Sequence, residues 1–282
     1  MRFKDITVSL ATYPDPTSPA ELGRIVRLCR ALGDMACGMA VDLNFPVKSN
    51  RLANLLIGLD DLAKTEERRS RDQAHEVLAE FHRQAADLGL ATSEQLLSAE
   101  IFNVAERVAA TTRTRDLCVI PFLQEPAAQR GVAEGVIFGS GRPVVVFKAK
   151  QDCVVPARFE RIAIAWDGGV PAARAVGDAL PLISAAKEVQ VVTILNEKPS
   201  AGPGTGAALV DHLKRHGVQP EPVEIDATGT SIGPALRRWL ERDASQLLVM
   251  GAFGHSRTKE FILGGATRDI LDDPPIPVFL SH

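Results

Sequence analysis

Four glycines near the end of this 282-residue chain carry the clearest chemical signal: Gly251, Gly254, Gly264 and Gly265. They directly follow the apolar run Leu247, Leu248, Val249 and Met250, which reads as a buried strand. A strand ending in Gly-x-x-Gly leaves backbone N–H groups without Cβ atoms to shield them, and the start of the next helix adds unpaired N–H groups of its own. Such a surface suits phosphate. Between the glycine pairs stand His255, Ser256 and Arg257, which could add polar contacts; Arg257 carries a planar fork of donors that matches a phosphate oxyanion. Asp167, placed at the end of another apolar strand and before Gly168 and Gly169, could accept from an amino group or a sugar hydroxyl.

Other apparent motifs carry less. Gly202, Gly204 and Gly206 resemble a phosphate loop, but no Gly-Lys-(Ser/Thr) ending follows and the stretch lies several residues past its strand, so it reads as a loop. His212 and His216 have the i, i+4 spacing of metal ligands on a helix, without a Glu-x-x-His pattern or a third ligand. They read as solvated helix residues, as do His75 and His82 on a long charged helix. No convincing nucleophile-base-acid constellation and no general base are evident.

The chain that must position these groups is 45% hydrophobic, 24% charged and 5% aromatic, with a net charge of −3. That composition predicts a soluble globular protein of about two domains. The acidic balance offers no electrostatic footprint for nucleic acid. No apolar run approaches a membrane span and no signal-peptide core opens the chain, which predicts a cytoplasmic protein without a membrane partner. Cys29, Cys37, Cys118 and Cys153 form no Cys-x-x-Cys pair and read as small buried hydrophobes.

The pattern repeats. Residues Asp5–Leu10 correspond to Arg161–Trp166, Asp116–Pro121 to Gln246–Gly251, and Arg142–Phe147 to Ile276–Ser281. This is a domain duplication rather than a short solenoid. Lys148–Glu160, with Pro156, is the expected linker, giving domains at 1–150 and 158–282. Strands are predicted near 4–10, 36–42, 92–97, 116–121 and 143–148, then near 161–166, 189–195, 221–226, 246–251 and 277–281. Helices are predicted near 18–32, 64–88 and 100–113, then near 171–184, 205–216 and 232–243, with a short one after the glycine loop. The longest should bury Ala74, Val77, Leu78, Phe81, Ala85 and Leu88. Alternating strands and helices predict an α/β protein: two tandem doubly wound domains, each a five-stranded mainly parallel sheet with helices on both faces. Ligands of such sheets bind beyond the carboxyl ends of strands where their order reverses, which places the ends at Asp167 and Gly251 together.

The spacing Gly-x2-Gly-x9-Gly-Gly resembles the ATP-binding signature of the universal stress protein family, Gly-x2-Gly-x9-Gly-(Ser/Thr). That resemblance implies a Rossmann-like, adenine nucleotide alpha hydrolase-like fold. It implies an adenine nucleotide, ATP with Mg²⁺ as an optional companion, held by Ala165, Asp167, Ile194, Met250, Gly251, Gly254, His255, Ser256, Arg257, Gly264, Gly265, Ala266 and Thr267. Asp167 takes the place of the family's nucleoside-contacting aspartate, and Ile194 that of an apolar position supporting adenine. Gly265 departs from the family's Ser or Thr, so a hydroxyl contact must come from Thr267 or Ser256. In the first half Pro121 and Gln124 replace the glycines and the aspartate is missing, which marks a degenerate copy. Family members dimerise through their last strands; Val144–Val146 and Val278–Leu280 are apolar enough to make that pairing within one chain, leaving a homodimer of tandem chains open. A stress-response role follows through a nucleotide-dependent surface read by an unknown protein partner, with at most slow ATP hydrolysis. Two alternatives stay open: a nucleotide-free scaffold or chaperone-like protein, and a nucleotidyl-transferring enzyme using Arg257 and His255.

Overall fold

The structure is a computed structural model that describes residues 2–46, 59–123, 127–150, 153–196, 202–252 and 265–282. Ten strands form one sheet: β1 (Ile6–Ser9), β2 (Met35–Asn44), β3 (Ala91–Glu100), β4 (Leu117–Phe122), β5 (Val144–Lys148), β6 (Arg161–Ala165), β7 (Glu188–Leu195), β8 (Pro220–Asp226), β9 (Leu247–Gly251) and β10 (Val278–Ser281). Their order is β3-β2-β1-β4-β5-β10-β9-β6-β7-β8. Every neighbouring pair is parallel except β5 with β10. Each half therefore supplies a doubly wound set of five strands, and the two sets join edge to edge.

The seam explains why both last strands are uniformly apolar. Val144 faces Leu280, Val145 faces Phe279, and Val146 faces Val278. Val144 and Val278 occupy equivalent registers against β4 and β9, pairing with Cys118 and Leu248. The seam is thus self-complementary about the Val145–Phe279 pair, in the manner of a two-fold interface folded into one chain. Phe279 is fully buried, and its ring stacks on Phe3 with centroids 6.1 Å apart. Pairing the two edges within the molecule removes two templates for aggregation.

Helices cover both faces. One face carries α1 (Pro19–Leu32), α2 (Leu59–Asp87), α5 (Val170–Ile183) and α6 (Ala207–Arg215); the other carries α3 (Val104–Thr112), α4 (Ala127–Gly139), α7 (Ile232–Leu240) and α8 (Gly265–Asp272). Strand residues alternate between them: in β6, Ile162 and Ile164 enter the first core and Ala163 the second. Helix α1 starts sharply because Ser18 and Glu21 form a capping box and Pro19 opens the first turn.

Three expectations need correction. The segment between β4 and β5 contains helix α4, although Gly131, Gly135 and Gly139 lower helical propensity there. Packing accounts for two of those glycines: a Cβ on Gly135 would lie 2.7 Å from the Ala105 Cβ, and one on Gly139 would lie 3.2 Å from the Ala109 Cβ. Helices α3 and α4 cross where side chains would hold them apart. Leu88 leaves the predicted buried stripe, because α2 ends at Asp87 and Leu88 is 43% exposed. His82 is no free surface residue: its Nδ1 lies 2.7 Å from Thr92 Oγ1 and its Nε2 3.0 Å from Glu94 Oε2, so it joins α2 to the edge strand β3. Cys29, Cys37 and Cys118 are buried and all four thiols are free. Burial pushes the Cys118 thiol up to about 12.

Candidate functional site

Strand order reverses between β6 and β9, which lie side by side with Ala165 opposite Met250. Ala165 also pairs with Val192 of β7, two residues before the buried Ile194. Ile194 and Met250 belong to the same apolar cluster, and Ala165 packs against it. Three expected site residues therefore share one sheet face at the carboxyl end of the second half.

The exit from β6 is a tight turn. Asp167 Oδ1 accepts the Gly169 N–H at 2.9 Å, and Gly168 has φ +74°, a left-handed conformation suited to glycine. Helix α5 begins at the next residue, with Gly169 as its N-cap. Asp167 thus places a carboxylate at a helix N-terminus, where the backbone dipoles favour negative charge. The turn role foreseen as the plain alternative for Asp167 is real.

Gly251 touches this same turn. A Cβ there would lie 2.4 Å from the Ala172 nitrogen and 2.5 Å from the Pro171 carbonyl carbon, so the end of β9 rests directly on the first turn of α5. Its small size is thereby required by packing. Gly265, the first residue of α8, contrasts with it: an added Cβ would meet nothing within 4 Å. Ala266 is half-buried, and Thr267 is buried on α8, whose Ile270 and Leu271 enter the cluster that holds Met250. Gly254, His255, Ser256, Arg257 and Gly264 lie outside the described residues.

Several contacts around the site had no signal in the motif. Ala252 donates its N–H to Ser281 O at 2.8 Å and its carbonyl accepts from His282 Nδ1 at 2.9 Å. The His282 ring stands edge-on to Phe138 of α4, with centroids 4.9 Å apart. Beyond α8, Asp273 pairs with Lys148 of β5 and, at 2.9 Å, with Arg237 Nη1, while Asp272 pairs with Arg130 of α4. The bond from Lys148, with the nearby charges of Lys148, Arg237 and Lys150, holds the Asp273 carboxyl below its usual range.

The Gly202–Gly206 stretch makes a turn into α6. Its Gly204 N–H donates to Glu224 Oε1 at 2.7 Å, and a carboxylate in that place disfavours phosphate. His212 and His216 are exposed with ring centroids 4.8 Å apart, and the described residues hold no cluster of metal-ligating side chains.

The first half's equivalent crevice is furnished differently. Ala11 stands at the register of Asp167, and Pro121 pairs with Phe147 just as Gly251 pairs with Ser281. The connection from β1 to α1 is longer than that from β6 to α5, so α1 does not press on the end of β4 as α5 presses on β9. Tyr13 and Phe45 pack against each other there with centroids 5.5 Å apart, and Tyr13 Oη donates to Glu66 Oε2 at 3.0 Å. A ring pair and a carboxylate replace the glycine geometry.

These features define a tandem doubly wound α/β protein whose two sheets are joined by antiparallel pairing of their last strands. Over 98% of its length the chain superposes on 95% of a universal stress protein from Archaeoglobus fulgidus DSM 4304, with a TM-score of 0.68 and 17% identity. A putative universal stress protein from Pseudomonas aeruginosa UCBPP-PA14 matches over 99% of this chain and 93% of that one, with a TM-score of 0.53 and 12% identity. A functionally unknown protein from Pseudomonas aeruginosa PAO1 matches over 99% and 92%, with a TM-score of 0.51 and 13% identity. No protein-family model and no curated protein matches the chain. The chain has the Rossmann-like fold of the universal stress proteins in its tandem form. Among the described residues no helix is long and apolar enough to cross a membrane.

Proposed function

We propose that this is a stress-response protein of the universal stress protein family that binds an adenine nucleotide, ATP with or without Mg²⁺, in its second half. One observation carries this reading. The Asp167 turn, the first turn of α5 and Gly251 meet at the point where strand order reverses, the place where open α/β sheets take their ligands. Ala165, Ile194 and Met250 supply an apolar face beside it, suited to a base. Gly251, Gly254, Gly264 and Gly265, with His255, Ser256, Arg257, Ala266 and Thr267, would meet the phosphates. The open space at Gly265 supports backbone approach there. The domains proposed are 1–150 and 158–282, the first a copy without the glycine code, as the Tyr13–Phe45 pair supports. Four free thiols suit the reducing cytoplasm. With β5 and β10 paired inside the chain, a homodimer would use another surface.

A specific observation favours a second reading, a nucleotide-free scaffold: contact with α5 alone accounts for Gly251. Calorimetric titration of nucleotide-stripped protein with ATP and Mg²⁺ separates the two. The nucleotide reading expects one ATP per chain, lost in Gly254→Asp, which adds both bulk and negative charge to the cradle. Absence of binding by the unaltered chain, with no nucleotide released on denaturation, leaves the scaffold.

A further inference from the structure

Far from that crevice, residues 155–158 run past α1 and enclose a cleft of about 440 Å³. Four guanidinium groups line it: Arg2 from the chain start, Arg27 and Arg30 from successive turns of α1, and Arg158 from the connection into β6. Leu88, Val155 and Pro156 supply an apolar wall, and no acidic residue lines the cleft.

This concentration of charge is unusual for the chain. Its net charge is −3, and many of its arginines are matched: Arg83 with Glu80 and Asp87, Arg115 with Asp5, Arg130 with Glu134 and Asp272, Arg237 with Asp273. Beside the cleft stands one counter-charge, Asp34, whose carboxylate interacts with both Arg2 and Arg30. It lies 4.0 Å from Arg2 and is already engaged by Lys4 at 2.5 Å. Among the described residues neither Arg27 nor Arg158 has a carboxylate partner. Gathering four like charges is unfavourable unless an anion joins them, and the guanidinium fork pairs best with phosphate. A single orthophosphate would leave much of the cleft unfilled, whereas a phosphate chain on an apolar body would use both walls.

We propose that this cleft is a second ligand site, which recognises a small molecule bearing a diphosphate or triphosphate group and is independent of the glycine loop. The connection itself supplies Arg158 and Val155, and Phe159, the residue after Arg158, is buried in the core. An occupied cleft would therefore clamp the segment between the two halves against α1.

The test is calorimetric titration of the full chain at low salt with inorganic tripolyphosphate, comparing the unaltered protein, the Arg27→Gln/Arg158→Gln double variant, and Gly254→Asp. Both arginines are exposed, so the double variant should melt as the unaltered chain does. Saturable binding that weakens at least about tenfold in the double variant, while persisting in Gly254→Asp, supports the proposal. It is overturned if the unaltered chain does not bind, if the double variant binds equally well, or if only Gly254→Asp loses binding. A polyglutamate peptide that binds the cleft as tightly as tripolyphosphate also overturns it, in favour of an acidic protein segment.

Discussion

Replacing Gly251 by alanine isolates a packing effect from any effect on a ligand. The new Cβ would lie 2.4 Å from the Ala172 nitrogen, 2.5 Å from the Pro171 carbonyl carbon and 2.9 Å from the Ala172 Cα, all backbone atoms of α5. Restoring an ordinary contact requires the start of α5 to retreat by about 1 Å. No flexible side chain can absorb that movement. Overpacking of this kind costs about 1–3 kcal/mol, and the position lies near the upper end because rigid backbone meets the new atom. Gly251 has no positive φ, so alanine also restricts the unfolded chain, which returns about 0.4–1 kcal/mol. The net expectation is a loss of about 2 kcal/mol, seen in urea unfolding and as a melting temperature lower by roughly 4–8 °C. The loss should be present without any nucleotide. Gly265→Ala is the control: it meets nothing within 4 Å and sits at the start of a helix, so it should be neutral or stabilise by up to about 1 kcal/mol. Gly251→Ala at the stability of the unaltered protein would refute the contact between β9 and α5 and return that glycine to ligand approach alone.

Further expectations test other joints of the fold. Phe279→Ala empties a fully buried position at the seam and should cost about 3–5 kcal/mol in urea unfolding. Ser18→Ala removes one arm of the capping box of α1 and should cost about 1 kcal/mol by the same measurement. Asp273 has a folded-state pKa below its unfolded value, so it contributes stability above about pH 4 that fades as pH falls through the lower folded value. Its side chain is 56% exposed, so Asp273→Asn should cost under about 1 kcal/mol at pH 7, and the two proteins should converge in acid-side melting curves.

What could be read from the chain followed from burial. Strands covered on both faces, such as β4, β5, β9 and β10, are nearly continuous apolar runs, whereas the edge strands β3 and β8 are mixed; the seam was visible because an edge strand as apolar as Val144–Val146 needs a partner. Helix α4 was hidden because its glycines serve a close crossing with α3, a tertiary demand that overrides propensity. Gly251 could be singled out, but two reasons for a glycine look alike in sequence: approach of a ligand, and contact with a helix beginning 81 residues earlier at Val170. His282 gave no pattern at all. Its role arises only when β10 places it beside Ala252, and the arginine cleft likewise assembles residues from four separate segments.

The unequal halves are linked around the glycine loop itself. On its entry side, the Ala252 carbonyl is held by His282, whose ring rests on Phe138 of α4. On its exit side, α8 ends at Asp272, and that residue and Asp273 pair with Arg130 and Lys148, both of the first half. Individually such exposed ion pairs contribute little, and a lone ring contact not much more. Together with the ladder of β5 on β10 they bracket the segment on both flanks. A displacement of α8 relative to β9 must therefore strain contacts to α4 and β5, whatever occupies the crevice. The first half, without the glycine code of its own, is the body against which Ala252 and the end of α8, the residues on either side of that loop, are held.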